Sequence, residues 1–181
     1  MTQASPASQR VPGADVLQLV VLGFDAQLKA QECFLAALRL HSERHLALHD
    51  AVFVTCDANG KTSVQETTDE TIAQAALGSG FWGLFLGTLL GGPIGGLVGG
   101  VLGAGAGAVS AELIDVGIRD ATIAEVRRIV RPNSANLMLL VSQVQTNVAL
   151  EELHRFAGAQ LVWATLDPAA VAALQRALLT S

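Results

Sequence analysis

The chain has 181 residues, 51% of them apolar and 15% charged, and 11 Lys and Arg against 16 Asp and Glu leave a net charge of −5. That is one domain's length of chain, too apolar for intrinsic disorder and without the basic surplus that neutralises phosphates, so nucleic-acid binding is disfavoured. Two cysteines, Cys33 and Cys56, are too few for a disulfide scaffold and fit a reducing compartment.

Residues 1–14 contain no apolar run, so they read as a disordered tail rather than a signal peptide. From residue 15 to 70 the pattern is that of half an α+β domain. Val16 to Phe24 reads as a buried strand, Asp25 to about His41 as an amphipathic helix capped by Asp25, and Ala51 to Cys56 as a second strand. Asn59-Gly60 then predicts a tight hairpin turn into a short partner strand, Lys61 to Gln65.

Residues 71–113 are different in kind. No charge falls between Thr71 and Ala111, a stretch about long enough for two bilayer spans of roughly 20 residues each, and Gly91-Gly92-Pro93 marks its middle. The expected arrangement is a helix over 72–90, a turn, and a helix over 94–113. Gly83, Gly87, Gly91, Gly95, Gly99, Gly103 and Gly107 recur at every fourth residue, with Gly92, Gly96, Gly100, Ala104 and Ala108 as a second column. On a helix the two columns lie about 100° apart and leave Leu97, Val98, Val101 and Leu102 on the opposite half. Such a division by size lets backbones approach closely while the bulky side faces lipid, the pattern of a glycine zipper. The same face also suits a hairpin buried within a soluble homo-oligomer, and Phe81 and Trp82 suit either a membrane interface or a core.

Residues 114–181 supply the second half of the α+β domain. Glu112 to Arg131 reads as a surface helix ended by Pro132, Asn136 to Val144 as a strand, Asn147 to Phe156 as a helix and Gln160 to Thr165 as a strand. Asp167-Pro168 opens a last helix to about Leu179. Two strand-helix-strand units in one antiparallel sheet make a ferredoxin-like α+β domain, here interrupted by the Gly-rich two-helix hairpin. If the two halves fold together they lie on one side of the membrane, which needs an even number of spans. All 11 Lys and Arg lie in the flanks, so the positive-inside rule predicts an inner-membrane protein with its domain facing the cytoplasm.

The stretch Asp50-Ala-Val-Phe-Val-Thr with the Asp57-Ala-Asn-Gly-Lys turn, the core FWGLFLGTLLGGPIGGLVGGVLGAGAGA, then Asp115-Val-Gly-Ile118 and Arg131-Pro-Asn-Ser-Ala135 resembles a bacterial domain-of-unknown-function family of predicted membrane proteins. The resemblance extends over nearly the whole chain after residue 15 and implies membrane association with no established activity. Arg119 stands where an acidic residue is expected, and Asn133 where a glycine is; Asn tolerates a left-handed backbone, so that loop should survive.

Catalytic motifs are absent from the sequence: there is no nucleophile elbow, phosphate loop or HExxH. His41, His45 and His49 have helical spacing for a metal site, but a strand starting near Ala51 would turn the third imidazole away. Asp57 to Gly60 begins like a calcium loop and has Thr68 where the closing Glu belongs. The two cysteines read as buried thiols, and Arg119, Arg127 and Arg128 as a solvated helix face that would meet anionic headgroups if the hairpin inserts. The expectation is therefore no enzyme, no cofactor and no metal. What remains is a membrane-associated homo-oligomer, scaffold or small pore, joined through its glycine column, with a soluble ligand- or partner-binding module that assembles through the same hairpin as the alternative.

Overall fold

The computed structural model describes residues 16–67, Trp82, Leu86 and residues 119–166. The elements are β1 (Gln18–Phe24), α1 (Gln27–Ser42), β2 (Ala47–Cys56), β3 (Thr62–Glu66), α2 (Asp120–Ile129), β4 (Ser134–Ser142), α3 (Thr146–Leu153) with a 3-10 turn at His154–Phe156, and β5 (Gln160–Thr165). They form an α+β fold with a five-stranded sheet of order β3-β2-β4-β1-β5 in which all neighbours are antiparallel. The strands of the two halves interleave. β4 lies between β2 and β1, and β1 lies between β4 and β5, so neither half of the sequence makes the sheet alone.

β4 explains the centre of the sheet. All nine of its residues are buried, and the continuous apolar run Leu137–Val141 within it is what a strand enclosed on both faces requires. Its odd-numbered residues Leu137, Leu139 and Val141 join Val20, Leu22 and Phe24 of β1 and Ala30, Cys33, Ala37 and Leu40 of α1 on one face. Its even-numbered Met138 and Leu140 join Leu19, Val21, Val52, Val54 and Val162 on the other, beneath Val126 and Ile129 of α2 and the helical residues Trp82 and Leu86. The second of these faces is closed by direct contact: a Cβ on Gly23 of β1 would lie 2.2 Å from Cγ2 of Ile129, so only glycine lets α2 sit this close.

Several expected boundaries move. β2 starts at Ala47 rather than Ala51, because a bulge between Leu48 and Asp50 inserts one residue opposite β4. Leu48 and Ala51 thereby reach the same face, although they are an odd number of residues apart. Asp25 does not cap α1. Ala26 holds the N-cap with no side-chain hydrogen bond, while the Asp25 carboxylate pairs with Arg131 at 3.0 Å. β1 begins at Gln18 instead of Val16, β4 covers Ser134–Ser142 instead of 136–144, and β5 occupies its expected residues.

The β2–β3 connection is longer than the expected two-residue turn. Cys56 pairs with Thr62, and Oδ1 of Asp57 accepts hydrogen bonds from the Asn59 and Lys61 N–H groups, both at 2.8 Å. Gly60 has φ of +79° but Asn59 has no positive φ, which a type I′ turn requires at both central positions. Of the expected surface helix over 112–131, the described part is Asp120–Ile129, with Thr122, Val126 and Ile129 buried. The closing helix over 168–179 lies outside the described residues, as does the hairpin over 71–113 apart from Trp82 and Leu86. No helix among the described residues is long and apolar enough to cross a membrane.

Candidate functional site

Of the glycine column, Gly83, Gly87, Gly91, Gly95, Gly99, Gly103 and Gly107 all lie outside the described residues. The two described residues of that stretch are informative all the same. Trp82 and Leu86, one helical turn apart, are 1% and 2% exposed in the core cluster beneath the sheet. Of the two roles open to Trp82 from sequence, the domain core is the one it occupies here.

The three histidines separate. α1 ends at Ser42, so only His41 is helical. Its Nδ1 accepts the Leu48 N–H at 3.1 Å. His45 has Nδ1 at 3.1 Å from Oε1 of Gln145, and His49 in the β2 bulge has Nε2 at 2.7 Å from Oγ of Ser142. Each imidazole thus ties a loop or a strand, and among the described residues no group of three or more His, Cys, Asp or Glu is placed to hold a metal ion.

The turns at residues 57–60 and 131–135 meet at one end of the sheet. The Asn133 N–H donates to the Asp57 carbonyl at 3.3 Å, and Ser134 Oγ accepts from the Arg131 N–H at 3.2 Å and from Nδ2 of Asn136 at 2.9 Å. Nδ2 of the fully buried Asn136 also donates to the Val54 carbonyl at 2.9 Å. Asn133 has φ of +59°, the left-handed conformation expected where glycine is replaced by Asn. These bonds satisfy backbone groups and join β2 to β4, which makes the cluster a structural clasp.

Among the described residues, a partly enclosed space lies on the opposite face of the sheet from Trp82. An apolar cavity of about 50 Å³ lies between α1, α3 and the strands β1 and β4. Ala36, Ala37 and Ala149 are among the residues with which the helices line it, and a methyl group does not reach as far as the Leu40 or Leu153 side chains beside it. Cys33 and Glu152 are its polar lining groups. Burial, and secondarily the Glu152 charge, push the Cys33 thiol up from its ordinary value to about 12, so it stays an S–H and is no nucleophile. Cys56 is buried on the other face of the sheet, and the two thiols are free.

Glu152 stands at the rim. Its side chain is 15% exposed, with Oε1 at 2.6 Å from Nη1 of Arg155 and Oε2 paired to Nη2 of Arg39. Both arginines are about half exposed and line an adjoining groove of about 290 Å³ with Glu32, Leu35, Ala36 and Phe156. Ala36 and Phe156 line both spaces, so groove and cavity are neighbours. Sequence reasoning missed this constellation. Its members have no motif spacing, and the one trace is the alanine content of the inward faces of α1 and α3.

A model of a family described as proteins of unknown function, DUF1269, matches residues 76–179. The chain belongs to the DUF1269 family. The DUF1269 match takes in Trp82, Leu86, the whole run of glycines from Gly83 to Gly107, α2, β4, α3 and β5, and it leaves out β1, α1, β2 and β3. It is therefore narrower than the likeness read from the sequence, which began near residue 15 and included the Asp57 turn. No curated protein and no solved structure matches the chain.

Proposed function

We propose that this DUF1269 protein is a membrane-associated, self-assembling, non-catalytic protein. A ferredoxin-like α+β domain on the cytoplasmic side of the inner membrane carries a glycine-zipper hairpin through which copies oligomerise, as a structural scaffold or, in its narrower form, a small pore. The observation that carries this reading is the glycine at every fourth position from Gly83 to Gly107 inside 71–111, where no residue is charged. Bulky Leu and Val on the remaining positions suit lipid, and the basic residues all lie in the flanks. Interleaving of β1, β2, β4 and β5 supports the requirement that both flanks share one side.

A second reading draws on Trp82 and Leu86. Side chains this deeply buried against the sheet do not face acyl chains, so in this conformation a first span over 72–90 is in conflict with the domain core. The alternative is a soluble module that assembles through glycines beyond Leu86. Alkaline carbonate extraction of membranes from cells expressing the full chain separates the two, with a version carrying a polar linker in place of 87–111 as control. Pelleting of the full chain and release of the control supports the bilayer reading, and release of both supports the soluble one. Self-association is tested apart from location: Gly99→Leu should dissociate the oligomer on native gels, and unchanged assembly would remove the zipper from both readings.

A further inference from the structure

We infer that the apolar cavity beneath α1 and α3, with Arg39 and Arg155 at its rim, is a binding site for a small carboxylate bearing an alkyl tail, a short- or medium-chain fatty acid. The inference is independent of where the glycine hairpin resides. Three features combine. The cavity is apolar, since its walls are alkyl and aromatic side chains apart from the Cys33 thiol and the arginine-paired Glu152 carboxylate. Apolar cavities that the surrounding helices do not collapse to fill accept apolar guests rather than water.

The rim supplies the head-group recognition. Each guanidinium carries five N–H donors, and Arg39 and Arg155 each spend one Nη on Glu152. Glu152 thus acts as a spacer that holds two planar cations along the groove that adjoins the cavity, in a protein whose net charge is negative. A ligand carboxylate accepts from the donors left on both arginines, a charge-assisted geometry that a hydroxyl matches poorly. Its first methylenes lie in the groove along Leu35 and Phe156, and its end enters the cavity past Ala36. Glu32 also lines the groove, so a cationic head group is the informative competitor.

The test is calorimetric titration of the full chain, in detergent-free zwitterionic nanodiscs or in buffer as its solubility dictates, with butanoate, hexanoate and octanoate, then with octanol and octylamine. Affinity for the acids should tighten by about fourfold per methylene until the cavity is full. Octanoate should bind at least tenfold more tightly than octanol or octylamine. Arg39→Ala and Arg155→Ala, at exposed positions where folding is not at stake, should remove that preference and leave octanol unchanged. Ala149→Leu should block the longer acids, and Ala36→Val serves the same purpose if that variant does not fold. Equal binding of octanol and octanoate, a flat chain-length series, or retention of the acid preference in both arginine variants would overturn the assignment. So would arginine-dependent binding to anionic vesicles without binding of free octanoate, which would make the rim a lipid-headgroup contact.

Discussion

The two faces of the sheet use the same strands and reach different packing. Beneath Trp82, Leu86 and α2 the core is closed by one large aromatic and by a backbone approach that Gly23 alone permits. Beneath α1 and α3 alanines meet the strands, and about 50 Å³ stays open. A β-sheet presents similar Leu and Val rows on both sides, so the difference comes from what covers it. The Trp82 face is built as an anchor that fixes the start of the Gly-rich stretch to the domain, whereas the α1/α3 face retains room for a guest. Function in this fold is then divided between the faces: attachment on one, reception on the other.

The largest expected effect lies on the anchored face. Trp82→Ala should cost about 3–5 kcal/mol in urea unfolding, the usual loss for emptying a buried Trp site. An effect below about 1 kcal/mol would show that Trp82 leaves the sheet in solution, and the contrast between the faces would go with it. Next in size, Gly23→Ala should cost about 1–3 kcal/mol by overpacking against Ile129. In combination with Ile129→Ala the two losses should be less than additive, since the second substitution removes the Cγ2 that the new Cβ meets.

How much of this was legible in the sequence differs by element for physical reasons. β5 kept its expected boundaries because Gly158 and Asp167-Pro168 bracket a short apolar run, and Asn133 announced its left-handed φ through its residue type. The start of β2 was hidden because a bulge at His49 breaks the period-2 alternation from which strands are read. Asp25 looked like a helix cap, and a guanidinium brought from residue 131 by the β1–β4 pairing took its carboxylate instead. The Arg39, Glu152 and Arg155 cluster was illegible as a whole because Arg39 reaches the local i,i+3 pair of Glu152 and Arg155 only once α1 and α3 share a face. The cavity beside it has three alanines in its wall, and in sequence these are merely good helix formers.

A smaller effect is expected from pH. The Cys33 thiol has its pKa raised in the folded chain, so the unfolded chain loses this proton first as pH rises. The associated stability is complete below the ordinary thiol value of 9.0 and is lost between there and about 12. The slope approaches about 1.4 kcal/mol per pH unit at its steepest. Urea unfolding between pH 8 and pH 10.5 should therefore show a steeper decline for the native chain than for Cys33→Ala, and parallel curves would mean that the thiol is not enclosed. With no tyrosine in the chain, tyrosinate ionisation adds nothing to either curve.

The smallest effect tests the open face directly. Ala149→Val adds two methyl groups next to the cavity, and the open volume there absorbs them with little displacement of α1 or β4. Two terms oppose each other: the added burial stabilises by roughly 0.8 kcal/mol per carbon, while a β-branched residue inside α3 costs a few tenths of a kcal/mol and some rotamer freedom. The net change should lie within about 1 kcal/mol of zero, against the clear loss from the single methyl of Gly23→Ala. If the two substitutions cost the same, the face under α1 and α3 is as tightly closed in solution as the other. The space would then be too small to admit an alkyl chain, and the division of roles between the faces would fail with it.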